Sequence, residues 1–377
     1  MEDQTVFSQL PEALVDEMLH KSERIGEELF DSFIKLQKNK TEIRKRLKDK
    51  NILKNDSDLG YPNTPTTCGV DGSYVIERLL ATDLAACAAV AIEGLTPPSE
   101  TRHWQKPNHL VFISPERHNP VNGTILRGIM MSMELGLAVK APHDVIMLDG
   151  SLTTPLIYMN QAINSLSSQA NKNLREKLTS KFKQYLTSYK TIIEASRTDK
   201  LWVGMPKYTT RRELGKKLGW PSYYDDRAVL TSVLKPGEFT VPIRLERPEQ
   251  PWHLKMPGSN TEVLRLKDEV IKNIDRLCVV YYRPHGWTPA LRIEMAYSIA
   301  ANRSRLAILF QGFKYQTSTA GVIEPYPLYL ADRMVKHLGS AIPAFKQTAT
   351  RRMTELYDGE ISEIFFAMHG YRTERGR

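Results

Sequence analysis

The apolar positions of the first 50 residues recur at spacings of three, four or seven. Leu10, Leu14, Met18, Ile25, Leu29, Phe33 and Leu36 form one stripe along a helix. A lone amphipathic helix cannot hide such a stripe, so it either docks on a partner or packs on the chain's own sheet. The helix closes in the basic run KNKTEIRKRLKDKNILKN, which is either a solvated end or an arm that contacts phosphate or a partner. Residues 55–67, NDSDLGYPNTPTT, read as loop. From Cys68 to Glu93 the chain is apolar and rich in Ala and Val, where periodicity alone does not separate strand from helix. The breakers Gly94, Pro97 and Pro98 and the downstream HLVFIS favour adjacent strands.

Residues 120–140 read as a helix with Ile125, Ile129, Met130, Met133, Leu137 and Ala138 on one face. Glu134 lies on that same face, and burying an unpaired carboxylate costs several kcal/mol, so it needs a partner. DVIMLDG reads as a short buried strand, and residues 155–196 as a helical pair laid outside the core. KLWVGM and RLCVVYYRP read as strands, with ALRIEMA pairing across the turn HGWT, while RLAILFQG fits a strand or a helix end. DDRAVLTSVLKPGE reads as a short helix, and PYPLYLADRMVKHLG as a helix that starts at proline and stops at Gly339.

Two places in this pattern stand out. CGVDGSYVIER and VIMLDGSLTTP each end an apolar approach in Asp-Gly-Ser, which predicts two corners at strand ends with Asp71 and Asp149 projecting off the sheet edge. If the strands are neighbours, these aspartates converge, and Glu134 faces the same point. So much negative charge requires neutralisation, and oxygen ligands suit Mg²⁺ or Mn²⁺. A carboxylate-held pair of ions is one arrangement that hydrolyses phosphodiesters. The bland alternative is two turns, because Asp-Gly is a common turn dipeptide.

Composition narrows the field. The charged fraction is 25% and the hydrophobic fraction 41%, as in globular proteins, and no apolar run reaches the roughly 18 residues of a membrane span. The acidic start MEDQTVFSQL is unlike a secretory signal, which makes the cytoplasm the expected location. The net charge of +9 favours a polyanionic partner. Cys68, Cys87 and Cys278 have neither zinc spacing nor a disulfide framework and read as buried thiols. Neither a GxxxxGK[ST] loop nor an HExxH helix is present.

The ordered set CGVDGS, MELGLA, VIMLDGSL, DDRAVLTSVLKPGE, LRIEMA and PYPLYLADRM resembles the NurA nucleases from about residue 66 to 345. The resemblance implies an RNase H-like fold, and with the periodicity above the chain reads as an α/β mixed sheet with flanking helices, a helical insertion at about 155–196 and an N-terminal amphipathic helix. We therefore divide the chain into an N-terminal helical or docking segment at 1–54, a NurA-like nuclease domain at 66–345 and a C-terminal helix with a basic tail at 346–377, and the resemblance covers the second of these. It also implies a manganese-dependent deoxyribonuclease that degrades DNA from 5′ ends, cuts single strands and works as a dimer docked on the hexameric ATPase HerA. By motif, Asp71, Glu134 and Asp149 would be catalytic metal ligands for Mn²⁺ or Mg²⁺, with two ions expected. Asp226 and Glu294 match recurrent positions that we assign to structure or substrate positioning.

The C-terminal motif departs from the family pattern Tyr-Pro-Tyr-Pro-Leu followed by Ala-His. Glu324 stands at the first Tyr position and Asp332 at the His. An acid can still bind a hard cation, so Asp332 is a further metal candidate, but it lacks the chemistry of an imidazole. The departure also admits a rival reading, a catalytically silent DNA-binding adaptor of an ATPase motor. For DNA contact the candidates are Arg211, Arg212, Lys216, Lys217 and His285, while Trp202, Trp220, Trp252 and Trp287 fit core or interface packing better than base stacking.

Overall fold

A computed structural model describes residues 10–166, 171–207, 211–258 and 260–376; the side chains of Ser32, Leu36 and residues 371–376 lie outside the description, as does the start of the chain. The chain opens with α1 (Glu12–Asp49), followed by β1 (Leu53–Asn55) and a single 3-10 turn. A hairpin of β2 (Thr67–Leu79) and β3 (Asp83–Glu93) continues into β4 (Asn108–Glu116), α2 (Asn122–Lys140) and β5 (Val145–Asp149). Next come α3 (Thr154–Asn164), α4 (Lys172–Glu194), β6 (Leu201–Met205), α5 (Glu213–Leu218), α6 (Asp226–Val233), β7 (Glu238–Thr240) and β8 (Ile243–Arg244). The last third holds α7 (Thr261–Ile274), β9 (Cys278–Tyr282), β10 (Leu291–Met295), α8 (Tyr297–Ala300), α9 (Arg303–Gln316), α10 (Tyr326–Lys336), α11 (Leu338–Leu356), α12 (Ile361–Ala367) and β11 (Gly370–Gly376).

The strands form one mixed sheet in the order β1-β7-β9-β10-β6-β5-β2-β3-β4, with β8 added to β9 and β11 to β2. β5 runs parallel to both β2 and β6, and the other pairings are antiparallel. Alternation along β2 and β3 separates two cores. Cys68, Val70, Tyr74, Ile76, Ala85, Cys87, Ala89 and Ala91 pack with Ile125, Ile129 and Met133 of α2. Val75, Leu84 and Ala86 pack with Ile342 of α11, and Val90 and Ile92 with Ala331 and Val335 of α10. The small alanines of β3 leave room for helices on both faces.

Several sequence expectations change here. The α3–α4 pair does not lie outside the core, because Leu174, Leu178, Phe182, Tyr185, Tyr189 and Ile193 form a buried stripe within polar sequence. Tyr185 and Tyr189 donate hydrogen bonds to the Pro155 and Leu152 carbonyls, at 2.9 and 2.5 Å. RLAILFQG is helical, within α9. Gly339 does not end the helix before it; α10 stops at Lys336, and Gly339 lies inside α11. Residues 346–377 supply more than a helix and a tail, since β11 adds to the sheet.

α1 is 38 residues, about 57 Å at 1.5 Å per residue. Among its described side chains the buried ones lie at the C-terminal end: Ile43 and Leu47 pack against Ile52, Val229 and Leu230, and Arg44 donates to both carboxylate oxygens of Glu238. Leu10, Leu14, Met18, Ile25, Leu29 and Phe33 are exposed. The three cysteines are buried, and no described helix is long and apolar enough to cross a membrane.

Candidate active site

The first Asp-Gly-Ser is not a corner. Asp71, Gly72 and Ser73 lie inside the 13-residue strand β2, which continues because β3 pairs along its length from Cys68 to Arg78. The opposite edge of β2 is different. β5 pairs with Thr67–Val70 and β11 with Tyr74–Leu79, so Asp71–Ser73 fall in the gap where the two neighbours part. The second Asp-Gly-Ser is the turn the sequence predicts: β5 ends at Asp149, and Gly150 takes a φ of 89° that L side chains rarely adopt. The parallel register Val70 to Leu148 brings Asp71 and Asp149 side by side.

Gly72 serves a purpose other than turning. A Cβ there would stand 2.3 Å from Oε1 of Glu134, so its absence gives the carboxylate of α2 room beside the strand. Asp332 arrives from the other face on α10, whose first turn packs hard against β2. A Cβ on Gly69 would stand 2.4 Å from the Pro327 carbonyl carbon. Asp71, Asp149 and Asp332 each offer an oxygen within 4.8 Å of the others.

This cluster is short of positive charge. Burial, then the charge of Asp149, pushes the Asp71 carboxyl up to about 7. Burial, then Asp71 and Asp149, raises Glu134 well above the usual carboxylate range. Burial also raises Asp149 and Glu324, against the pull of Lys207. The Lys207 ammonium lies 3.1 Å from Asp149, 3.1 Å from Glu324 and 3.2 Å from Asp332. Burial works to lower its pKa, but Asp149 and Glu324 outweigh it and hold the amine firmly charged. Asp332 resists burial through Lys336, at 2.6 Å, and Lys207, and sits below its ordinary value. Oε2 of Glu324 is buried, and the charge beside it is the Lys207 ammonium. Carboxylate oxygens converging from Asp71, Asp149 and Asp332, two of them on acids that burial raises, fit a hard divalent cation.

Sequence reasoning missed Lys207 and treated Glu324 only as a departure. The position of Lys207 is set by sheet register and not by any local mark in the sequence. β6 is parallel to β5, with Met205 opposite Asp149, so a residue shortly beyond KLWVGM emerges beside Asp149 at the same sheet end.

Glu294 and Asp226 are fully occupied elsewhere. One Glu294 oxygen accepts from Ser151 Oγ at 2.6 Å and Leu152 N at 3.0 Å, which fixes the turn after Asp149; the other pairs with Arg292. Asp226 accepts from Leu214 N and Gly215 N, each at 2.7 Å. Of the DNA-contact candidates, Arg212 donates to the carbonyls of Tyr224, Trp220 and Pro221, which ties its guanidinium to the fold. Lys216 pairs with Glu246, Lys217 is exposed and Arg211 half-buried. His285 stacks on the half-exposed Trp287 at 4.6 Å and contacts the Lys314 carbonyl at 2.8 Å. Trp202 and Trp220 are buried, and Trp252 packs on the core.

A family model described as the NurA domain matches residues 65–336. The chain belongs to the NurA family. Its fold matches the crystal structure of the NurA nuclease from Sulfolobus solfataricus with a TM-score of 0.60 at 14% identity, over 93% of this chain and 100% of that one. Weaker matches are a NurA bound to dAMP and manganese (TM-score 0.48, 15% identity, 85% and 96% covered) and a NurA with manganese (0.49, 15%, 86% and 98%). No curated protein matches. The match at 0.60 agrees with the mixed α/β sheet and flanking helices expected of this chain.

Proposed function

We propose that this NurA protein is a divalent-metal-dependent deoxyribonuclease that acts as a 5′-3′ exonuclease and single-strand endonuclease. The observation that carries the reading is the cluster of Asp71, Asp149 and Asp332, gathered where two strands part, with Glu134 near enough for Asp71 and Asp149 to raise it. Asp71 and Asp149 would hold the ion, with Glu134 and Asp332 beside them. Mn²⁺ or Mg²⁺ suits these oxygens and, when bound, supplies Lewis acidity and an activated water. The protein's own part is to fix the acids on a rigid sheet. β5 and the Glu294-held turn orient Asp149, and Gly72 leaves space for Glu134. A silent adaptor would gain nothing from buried acids held above their ordinary pKa, and this argues against the rival reading.

The exposed stripe of α1, remote from its anchored end, supports self-association into a homodimer and docking on a HerA-like hexameric ATPase in DNA end processing, whether for repair or for antiphage defence in the cytoplasm. The test of the central reading is degradation of end-labelled duplex and single-stranded DNA with Mn²⁺, with Mg²⁺ and with EDTA. Cleavage with either metal that EDTA abolishes supports it, and intact DNA under all three conditions overturns it.

A further inference from the structure

The two positions at which this chain departs from the NurA motif it resembles, Glu324 and Asp332, are the two that grip Lys207 together with Asp149. The three contacts are of nearly equal length and come from three elements: β5, the approach to α10, and α10 itself. Lys207 is half-buried, its stem anchored two residues beyond β6, the parallel neighbour of β5. Its ammonium therefore occupies a place that carboxylate oxygens surround, which is what a second metal ion would require.

We propose, resting on the nuclease reading, that Lys207 is a built-in second cation: the site takes one divalent ion, beside Asp71 and Asp149, and Lys207 fills the other place. A metal ion and an ammonium cannot share one set of oxygens at bonding distance. Metal–oxygen distances for Mn²⁺-sized ions are about 2.0–2.2 Å, well inside the 3.1–3.2 Å that Lys207 keeps. Glu324 and Asp332 in place of an aromatic ring and an imidazole supply the charge that makes a lysine stable there. In catalysis Lys207 is a point charge for the phosphate oxygens of the scissile group, a task that lysines perform without coordination demands. The proposal transfers no proton through it.

Metal stoichiometry tests this independently of activity. Native mass spectrometry and equilibrium dialysis with Mn²⁺ should find one ion per wild-type chain. Lys207→Met, which keeps the stem and removes the charge, should take up two, while its DNA cleavage falls about 10²–10³-fold, the usual loss for one stabilising group. Glu324→Gln should still bind one ion and lose activity about tenfold by loosening the lysine. Two ions in the wild type, or a Glu324→Gln chain that no longer binds its ion, overturn the proposal while leaving the nuclease reading intact. If Lys207→Met does not fold, the wild-type and Glu324→Gln counts still decide. A wild-type chain that binds no Mn²⁺ and cuts no DNA removes the nuclease reading and this inference together.

Discussion

Two sets of carboxylates are withdrawn from water by the same sheet. Asp71, Glu134 and Asp149 gather around β2 and β5; Glu213, Asp226 and Glu294 gather around Arg292 on β10, with β6 lying between β5 and β10. In the second set Arg292 donates to both oxygens of Glu213 at 2.7 Å and to Glu294 at 3.0 and 3.1 Å, and also to the Tyr281 hydroxyl. Burial would raise Glu213, but the paired guanidinium holds it below the usual range. Asp226, at the edge of this group, accepts from two backbone amides and, at 3.4 Å, the Tyr281 hydroxyl, but has no guanidinium of its own and is pushed up to about 6 by burial. The first set has no bidentate arginine, and its acids rise. The difference separates architecture from chemistry: a planar, permanently charged guanidinium closes a site, whereas a compact ammonium leaves oxygens over for a metal.

The comparison breaks first at the acids themselves. Asp71→Asn and Asp149→Asn keep volume but remove charge, and each should lower Mn²⁺-dependent cleavage by about 10³-fold or more, the several kcal/mol that a held metal contributes. Circular dichroism and melting should show both variants folded and no less stable than the metal-free wild type. Cleavage at the wild-type rate in either would sink the assignment.

The Arg292 cluster should respond in the opposite manner. Arg292→Met strands Glu213 and Glu294 without a counter-charge and should cost about 3–5 kcal/mol in urea unfolding. Because Glu294 also fixes Ser151 and Leu152, the residual folded protein should bind Mn²⁺ more weakly as well. A loss below about 1 kcal/mol would show that the cluster is not what stabilises this end of the sheet.

Gly72→Ala sharpens the contrast inside the active site. The new Cβ would meet Oε1 of Glu134 and push that carboxylate away, at an overpacking cost of about 1–3 kcal/mol. Mn²⁺ affinity should drop about 10- to 100-fold, as when a metal's supporting groups are disturbed. Titration calorimetry would read it, and an unchanged affinity would remove Glu134 from the site.

How much of this was legible in the sequence follows from what the pattern encodes. Short apolar runs and the breakers around them identified β3, β5, β6, β9 and β10, while the 3.6-residue period identified α2 and placed Glu134 inward. They could not distinguish a corner from a strand that runs on through Asp71-Gly72-Ser73, since that depends on β3 and β11 pairing from far along the chain. The buried stripe of α4 was masked by the lysines and threonines between its apolar positions. Lys207 carries no local mark at all; its role arises only from the parallel register of β6 with β5 and the arrival of α10 on Gly69.

A third buried group tests the rule that partners decide the shift. His143 lies between Glu93, His103 and Trp104, its ring edge-on to both aromatic neighbours, and neither ring nitrogen has a hydrogen-bond partner. Burial, only partly opposed by Glu93 3.6 Å away, lowers it to about 4 from 6.5. The folded chain thus resists a proton that the unfolded chain accepts, so this stability is fully present above pH 6.5 and is lost as pH falls towards 4. His143→Phe removes the titration but keeps an aromatic ring. The wild type should lose about 2 kcal/mol more than His143→Phe between pH 6.5 and 4.5, about 2–4 °C in Tm. Measuring the difference between the two chains cancels the opposite drift of Asp71, whose raised pKa makes the metal-free fold more stable in acid. Parallel melting curves across that window would mean that His143 finds a partner in solution, and that burial alone does not set its charge.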